Sequence, residues 1–207
     1  MNDTIQVTGS GRSAVPRARR VCHWWVGYLL ASPVRRLLES PERLLAPLVR
    51  PGMTVLEVGP GMGFFTLPLA GMIGPEGRVV CVDVQPRMIE GLRRRARRAG
   101  VLGRVETMVC GPDDLGIGRW AGAIDLALAI HVLHELRDAT AFLAQVFDAL
   151  RPGAALLIRE PKGHVTQAEF DVTIAAAERA GFLRTPARVP VPPGLEAVLR
   201  RPGAADR

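Results

Sequence analysis

The segment Glu57-Val58-Gly59-Pro60-Gly61-Met62-Gly63 sets three alternating glycines directly behind an acidic residue. Glycines so spaced let the backbone approach a ligand closely, because no Cβ intervenes and left-handed conformations are open to them. Dinucleotide-binding turns follow the pattern G-x-G-x-x-G/A, which needs a small residue where this chain has Phe64. Glu57 adds a charge argument: it would repel a pyrophosphate and favour a cationic or zwitterionic ligand. Asp83, at the end of the next apolar run, is placed to accept hydrogen bonds from both hydroxyls of a ribose. His131, directly after the apolar run Ile124 to Ile130, is the residue best placed to take a proton from a bound substrate. His134 and Glu135 read as an exposed helix start, and His23, Cys22 and His164 lack zinc-ligand spacing, so no metal is expected.

These residues need elements to hold them. Thr54 to Val58 is a β-branched run entering the glycines, and a helix near Phe65 to Ile73 follows, with Thr66 as its cap and Pro68 in its first turn. The second strand is Arg78 to Val84, Pro86 opens and Gly100 closes the next helix, and the third strand is Val105 to Cys110. Ile124 to Ile130 is apolar enough for a central parallel strand covered on both faces. Asp138 caps a helix carrying Phe142, Leu143, Val146, Phe147 and Leu150 on one side, and Ala155 to Arg159 is strand five. Thr166 to Glu169 has capping-box spacing, Gly181 ends that helix, and two further strands complete the sheet. Strands alternating with helices require parallel pairing, giving an α/β, doubly wound sheet with helices on both faces. In such sheets ligands sit beyond the carboxyl ends of the strands. Residues 1–20 are expected to form a mobile tail, residues 21–50 N-terminal helices covering the site, and residues 51–203 the ligand-binding core. Trp24, Trp25 and Tyr28 would line that site or pack in the core.

Between residues 40 and 200 the chain resembles the class I S-adenosylmethionine-dependent methyltransferases. Val55 to Gly63 is similar to their first motif, Val82-Asp83-Val84 to the acidic motif of strand two, Ile124-Asp125-Leu126 to the opening of strand four, and Leu150 to Ala154 to the turn before strand five. The resemblance implies a mostly parallel, seven-stranded, Rossmann-like methyltransferase fold with S-adenosylmethionine as cofactor. Gly59, Gly61 and Gly63 would line the donor, with Glu57 at its methionyl ammonium, Asp83 at its ribose and Val84 packed on its adenine, and Ile130 is a further donor-binding residue. The acidic residue that usually meets the adenine amino group aligns with Gly111, so Asp113 or Asp114 would reach it from a shifted position. Methyl transfer is an in-line displacement from a sulfonium, so the protein has mainly to align and desolvate the acceptor. A base is needed only when the acceptor must lose a proton.

A small-molecule acceptor is the expected partner. The sequence after strand four reads Ala129-Ile130-His131-Val132, unlike the N-P-P-Y type of base-amino methyltransferases. Alternatives are methylation of RNA or protein, and a donor-binding module without catalysis. The formal charge of +7 is nearly all arginine, Lys162 being the only lysine, and Arg93 to Arg98 interleave with Met88, Ile89, Leu92, Ala96 and Ala99 as a solvated helix face. Nucleic acid is therefore possible without being favoured. Cys22, Cys81 and Cys110 do not form a disulfide framework, which fits a reducing cytoplasm. The apolar run Val21 to Ala31 is shorter than the roughly 20 residues a bilayer requires, and no secretory cleavage site accompanies it. Oligomeric state is not legible.

Overall fold

Runs rich in β-branched and aliphatic residues form β1 (Thr54–Val58), β2 (Arg78–Asp83), β3 (Val105–Val109), β4 (Ile124–Ile130) and β5 (Leu150–Glu160), all parallel. Two more strands, β6 (Leu183–Arg184) and β7 (Leu195–Arg200), join antiparallel, completing a seven-stranded sheet of order β3-β2-β1-β4-β5-β7-β6. The computed structural model describes residues 39–136, 138–161, 163–186 and 195–206. The expected tail, the expected helices before residue 39, and Trp24, Trp25 and Tyr28 lie outside those residues.

Side-chain alternation divides the sheet into two buried layers. Val55, Val79, Cys81, Leu126, Leu128 and Ile130 face α1 (Pro41–Leu45), α2 (Thr66–Met72) and α3 (Pro86–Arg98). Leu56, Val58, Val80, Val82, Ala127 and Ala129 face α4 (Ala139–Ala149) and α5 (Gln167–Arg179). The doubly wound α/β expectation is borne out. Among the described residues no helix is long and apolar enough to cross a membrane.

Local signals explain most boundaries. Pro86 is the first residue of α3, and Gly100 follows that helix at φ 69°. Asp138 caps α4 by accepting from the amides of Thr140 and Ala141, and α5 carries the complete capping box of Thr166 and Glu169. Thr66 departs from expectation: it lies inside α2 instead of capping it, because its hydroxyl donates to buried Glu57 at 2.6 Å. β2 and β3 each stop one residue short of the expected end, where the chain turns away at the rim.

The longer surprise is β5. It begins at Leu150, since Ile124 pairs with Leu150 and Leu126 with Ala155, while Arg151 to Ala154 bulge out between those pairs. Pro152 has no amide to give a ladder, and Gly153 takes φ 83°. Asp125 secures this corner: its carboxylate accepts the Thr54 amide at 2.7 Å and pairs with Arg151 at 2.5 Å.

β1 lies between β2 and β4, so the chain leaves it in opposite directions along the sheet. That reversal opens a crevice at the carboxyl ends of β1 and β4, where open α/β sheets bind ligands.

Candidate functional site

The crevice is a cavity of about 440 Å³, within the usual range for small-molecule sites. The glycine bend after β1, the ends of β2 and β4, and the loops after β3, β4 and β5 form its wall. Gly59, Gly61, Asp83, Val84, Asp113, Ile130 and His131 all line it, so seven residues singled out from sequence meet around one space. Glu57, Gly63 and Asp114 stand outside the wall.

Gly61 has φ 54° and nothing within 4 Å of where a Cβ would project. Its glycine is required by backbone conformation and leaves open space beside a ligand. Gly63 has a different reason: at φ 83° a Cβ would lie 2.5 Å from Leu92 Cδ1, so the residue seats the bend on α3. Arg95 reaches back from α3 to donate to the Met62 carbonyl, fastening the same turn.

Glu57 sits on the layer facing α2, and the odd-even alternation of β1 turns its carboxyl away from the cavity. It is 4% exposed, accepts from the Thr66 hydroxyl at 2.6 Å, and has the Cys81 thiol 3.9 Å away. Burial raises its pKa to about 7, opposed by the hydrogen bonds from Thr66 and Cys81 and assisted by the charge of Asp83. The same burial, with Glu57 beside it, pushes the Cys81 thiol well up, so it stays protonated.

Asp83 closes β2 beside the bend. Its Oδ2 accepts the Gly61 amide at 3.3 Å and its Oδ1 the Gln85 amide at 2.9 Å, fixing the carboxyl between two elements. Burial raises its pKa, offset by those two amides. Val84 follows with 38% of its surface exposed, an apolar face on the wall. Cys110, beyond β3, is raised to about 11 by burial and by the Asp83 charge, and is no nucleophile at neutral pH.

The loop after β3 is built by its own acid and by a residue that sequence reading did not single out. Asp114 accepts the Gly116 amide at 2.8 Å, which turns its carboxylate into the loop and leaves Asp113 on the wall. Gln145 of α4, itself on the cavity wall, clamps the loop: its Oε1 accepts the Leu115 amide at 2.8 Å, and its Nε2 donates to the Asp113 carbonyl at 3.0 Å. The only signal in the sequence was a polar residue on the buried side of an amphipathic helix.

At the end of β4, His131 has φ 59°, the one positive value at a described residue other than glycine. Such backbone costs roughly 1–2 kcal/mol and is held here by the His131 amide donating to the Arg159 carbonyl at 2.7 Å. His134 corrects the expectation of an exposed helix start. It lies in a short 3₁₀ turn, Leu133–Glu135, lines the cavity, and has Nδ1 2.5 Å from Glu160 Oε2.

A family profile described as a methyltransferase domain matches residues 55–153, from the first buried residue of β1 to the bulge in β5. Over that span, a little under half of the chain, the protein is similar to a methyltransferase domain. Among curated relatives, a ubiquinone/menaquinone biosynthesis C-methyltransferase UbiE from Enterobacter sp. (strain 638) is 31% identical over 112 residues, covering 54% of this chain and 44% of the relative. The chain thus spans under half of that relative's length. Of solved structures, a SAM-dependent methyltransferase from Aquifex aeolicus has a TM-score of 0.74 at 24% identity, covering 87% of this chain and 97% of its own. The [4+2]-cyclase SpnF has a TM-score of 0.61 at 19% identity, covering 70% and 57%. At those identities the likeness is one of fold alone.

The donor of that family can be tested against this cavity. A ribose needs a fixed acceptor pair, which Asp83 supplies, and an amino-acid chain needs close backbone, which the open side of Gly61 supplies. The residues present fit the group.

Proposed function

We propose that the protein transfers a methyl group from S-adenosylmethionine to a small-molecule acceptor. The observation that carries this reading is the meeting of Gly61, Asp83, Asp113 and His131 around one cavity at the reversal point of the sheet. Asp83 would hold the ribose, Gly59 and Gly61 the methionyl chain, Val84 and Ile130 the flat faces of the nucleoside, and Asp113 the adenine edge. Gly63 and Asp114 support these residues from behind. Glu57 acts through its charge rather than by contact, since an ammonium in the bend draws a buried carboxyl toward its ionised form. The donor supplies an electrophilic methyl on a sulfonium. The protein's part is to orient the acceptor in line and exclude water, with His131 touching the acceptor at the end of β4.

Residues 51–203 form the proposed donor-binding core, with α1 as the described part of the covering segment. A small acceptor is favoured over nucleic acid by the course of α3. The helix starts at the cavity, where Gln85 and Met88 line the wall, and runs back toward the amino ends of the strands, carrying Arg97 and Arg98 away from the site.

The test is incubation of the protein with methyl-labelled S-adenosylmethionine and a metabolite extract, followed by mass spectrometry. A labelled product of low molecular mass is expected. Label found only in RNA or protein, or tight donor binding with no labelled product, would overturn the reading.

A further inference from the structure

Glu160 ends β5 with 3% of its surface exposed, and both its oxygens are engaged. Oε1 accepts the Leu133 amide at 2.8 Å, and Oε2 lies 2.5 Å from His134 Nδ1. A carboxylate anchored by backbone fixes the ring it meets, and a neutral imidazole with its proton on Nδ1 has Nε2 as its basic nitrogen. The pair therefore selects a tautomer and an orientation for a histidine in the cavity wall, with its side chain 14% exposed.

The surroundings suit removal of a proton. His164 approaches from the segment after β5, its ring centroid 6.1 Å from that of His134, and His131, Glu135 and Asp138 share the wall from the segment after β4. No lysine or arginine stands among the described wall residues. Val132, Leu136 and Pro161 give the same end apolar surface.

We propose that His134, oriented by Glu160, takes the proton from acceptors that carry an acidic hydroxyl on an apolar frame, a phenol or an enol. The proposal rests on the methyl-transfer reading of the cavity. The acceptor O–H bond breaks, its electron pair stays on oxygen, and the proton forms an N–H bond at His134 Nε2. The oxygen pair then forms the bond to the methyl carbon while the S–C pair remains on sulfur. The resulting imidazolium faces the Glu160 carboxylate, so net charge at the pair falls to zero. His134 meets the acceptor at its hydroxyl, beside His131 on the same wall, and Glu160 positions it.

The test uses 4-nitrophenol, whose ionised form is visible, bound to the full chain saturated with S-adenosylhomocysteine. Absorbance is followed between pH 5 and pH 8. The bound probe is expected to ionise about one pH unit below the free probe, a roughly tenfold rise in the ratio of ionised to neutral probe. His134→Gln should abolish the shift, Glu160→Gln should reduce it, and His164→Gln should leave it in place. A probe that does not bind, that titrates as in free solution, or whose shift survives His134→Gln overturns the proposal. Calorimetry with S-adenosylhomocysteine alone separates the two readings. Normal binding with a silent probe removes only the base, whereas no binding by folded protein removes the donor site and the proposal together.

Discussion

Glu57 puts a carboxyl among aliphatic side chains, so its charge is a burden on the folded state. Its folded pKa of about 7 lies above the ordinary value of 4.5, so the proton it binds adds stability in full below pH 4.5, and that stability is lost as pH rises through 7. A shift of this size, from 4.5 to about 7, is worth on the order of 3 kcal/mol. Glu57→Gln keeps an acceptor for the Thr66 hydroxyl and carries no charge. Urea unfolding at pH 5 and pH 8 should therefore show a marked loss of stability in the natural protein and a flatter dependence in the variant, which becomes the more stable of the two at pH 8. Equal dependence in both would contradict the burial argument. The glycines of the bend separate by the same kind of reasoning. Gly63→Ala must move Leu92, which is fully buried, and also holds a left-handed residue, so a loss of about 3 kcal/mol is expected. Gly61→Ala meets no atom and should cost only about 1–2 kcal/mol of stability while weakening donor binding. Thermal unfolding and calorimetry on both variants would distinguish a supporting glycine from a lining one.

Loops at the carboxyl rim are held by single polar residues projecting from regular elements. Gln145 joins α4 to the segment after β3 by bonds to the Leu115 amide and the Asp113 carbonyl. Gln145→Leu keeps the volume and removes those bonds, so donor affinity should fall several-fold, while stability drops by about 1–2 kcal/mol. An unchanged affinity by calorimetry would show that the loop does not meet the donor. Asp125 does comparable work at the opposite end of β4, linking the first residue of β1 to the bulge of β5. Asp125→Asn retains an acceptor for Thr54 and loses the pairing with Arg151, whereas Asp125→Ala loses both. Denaturant midpoints should fall in that order, with about 1–3 kcal/mol lost in the alanine variant. Helix and strand spans were readable because their signals are local: Pro86 before α3, Asp138 at α4, the Thr166 and Glu169 box at α5. Thr66 misled because a hydroxyl suited to capping was claimed by a carboxyl from a neighbouring strand, a contact that no local pattern encodes.

Across the whole molecule, the alternation of strands and helices was enough to give the doubly wound sheet, and the order of acidic and glycine motifs placed the cavity at its reversal. What sequence concealed are the pairings that topology creates. Glu160 and His134 meet only because β4 and β5 are adjacent and end at the same rim, and Gly63 meets Leu92 only because α3 folds back over the bend. The direction of a side chain from a strand was equally hidden: one residue of alternation separates Val58, which lines the cavity, from Glu57, which does not. The central claim is that Asp83 and the glycine bend together hold the nucleoside of the donor, and titration calorimetry with S-adenosylmethionine tests it most directly. The natural protein should bind one equivalent, and Asp83→Ala, with its fold confirmed by circular dichroism, should bind about 10- to 100-fold more weakly, as expected for hydrogen bonds to a charged group worth roughly 1.5–3 kcal/mol. No binding by the folded natural protein, or equal binding by the Asp83→Ala variant, would contradict it.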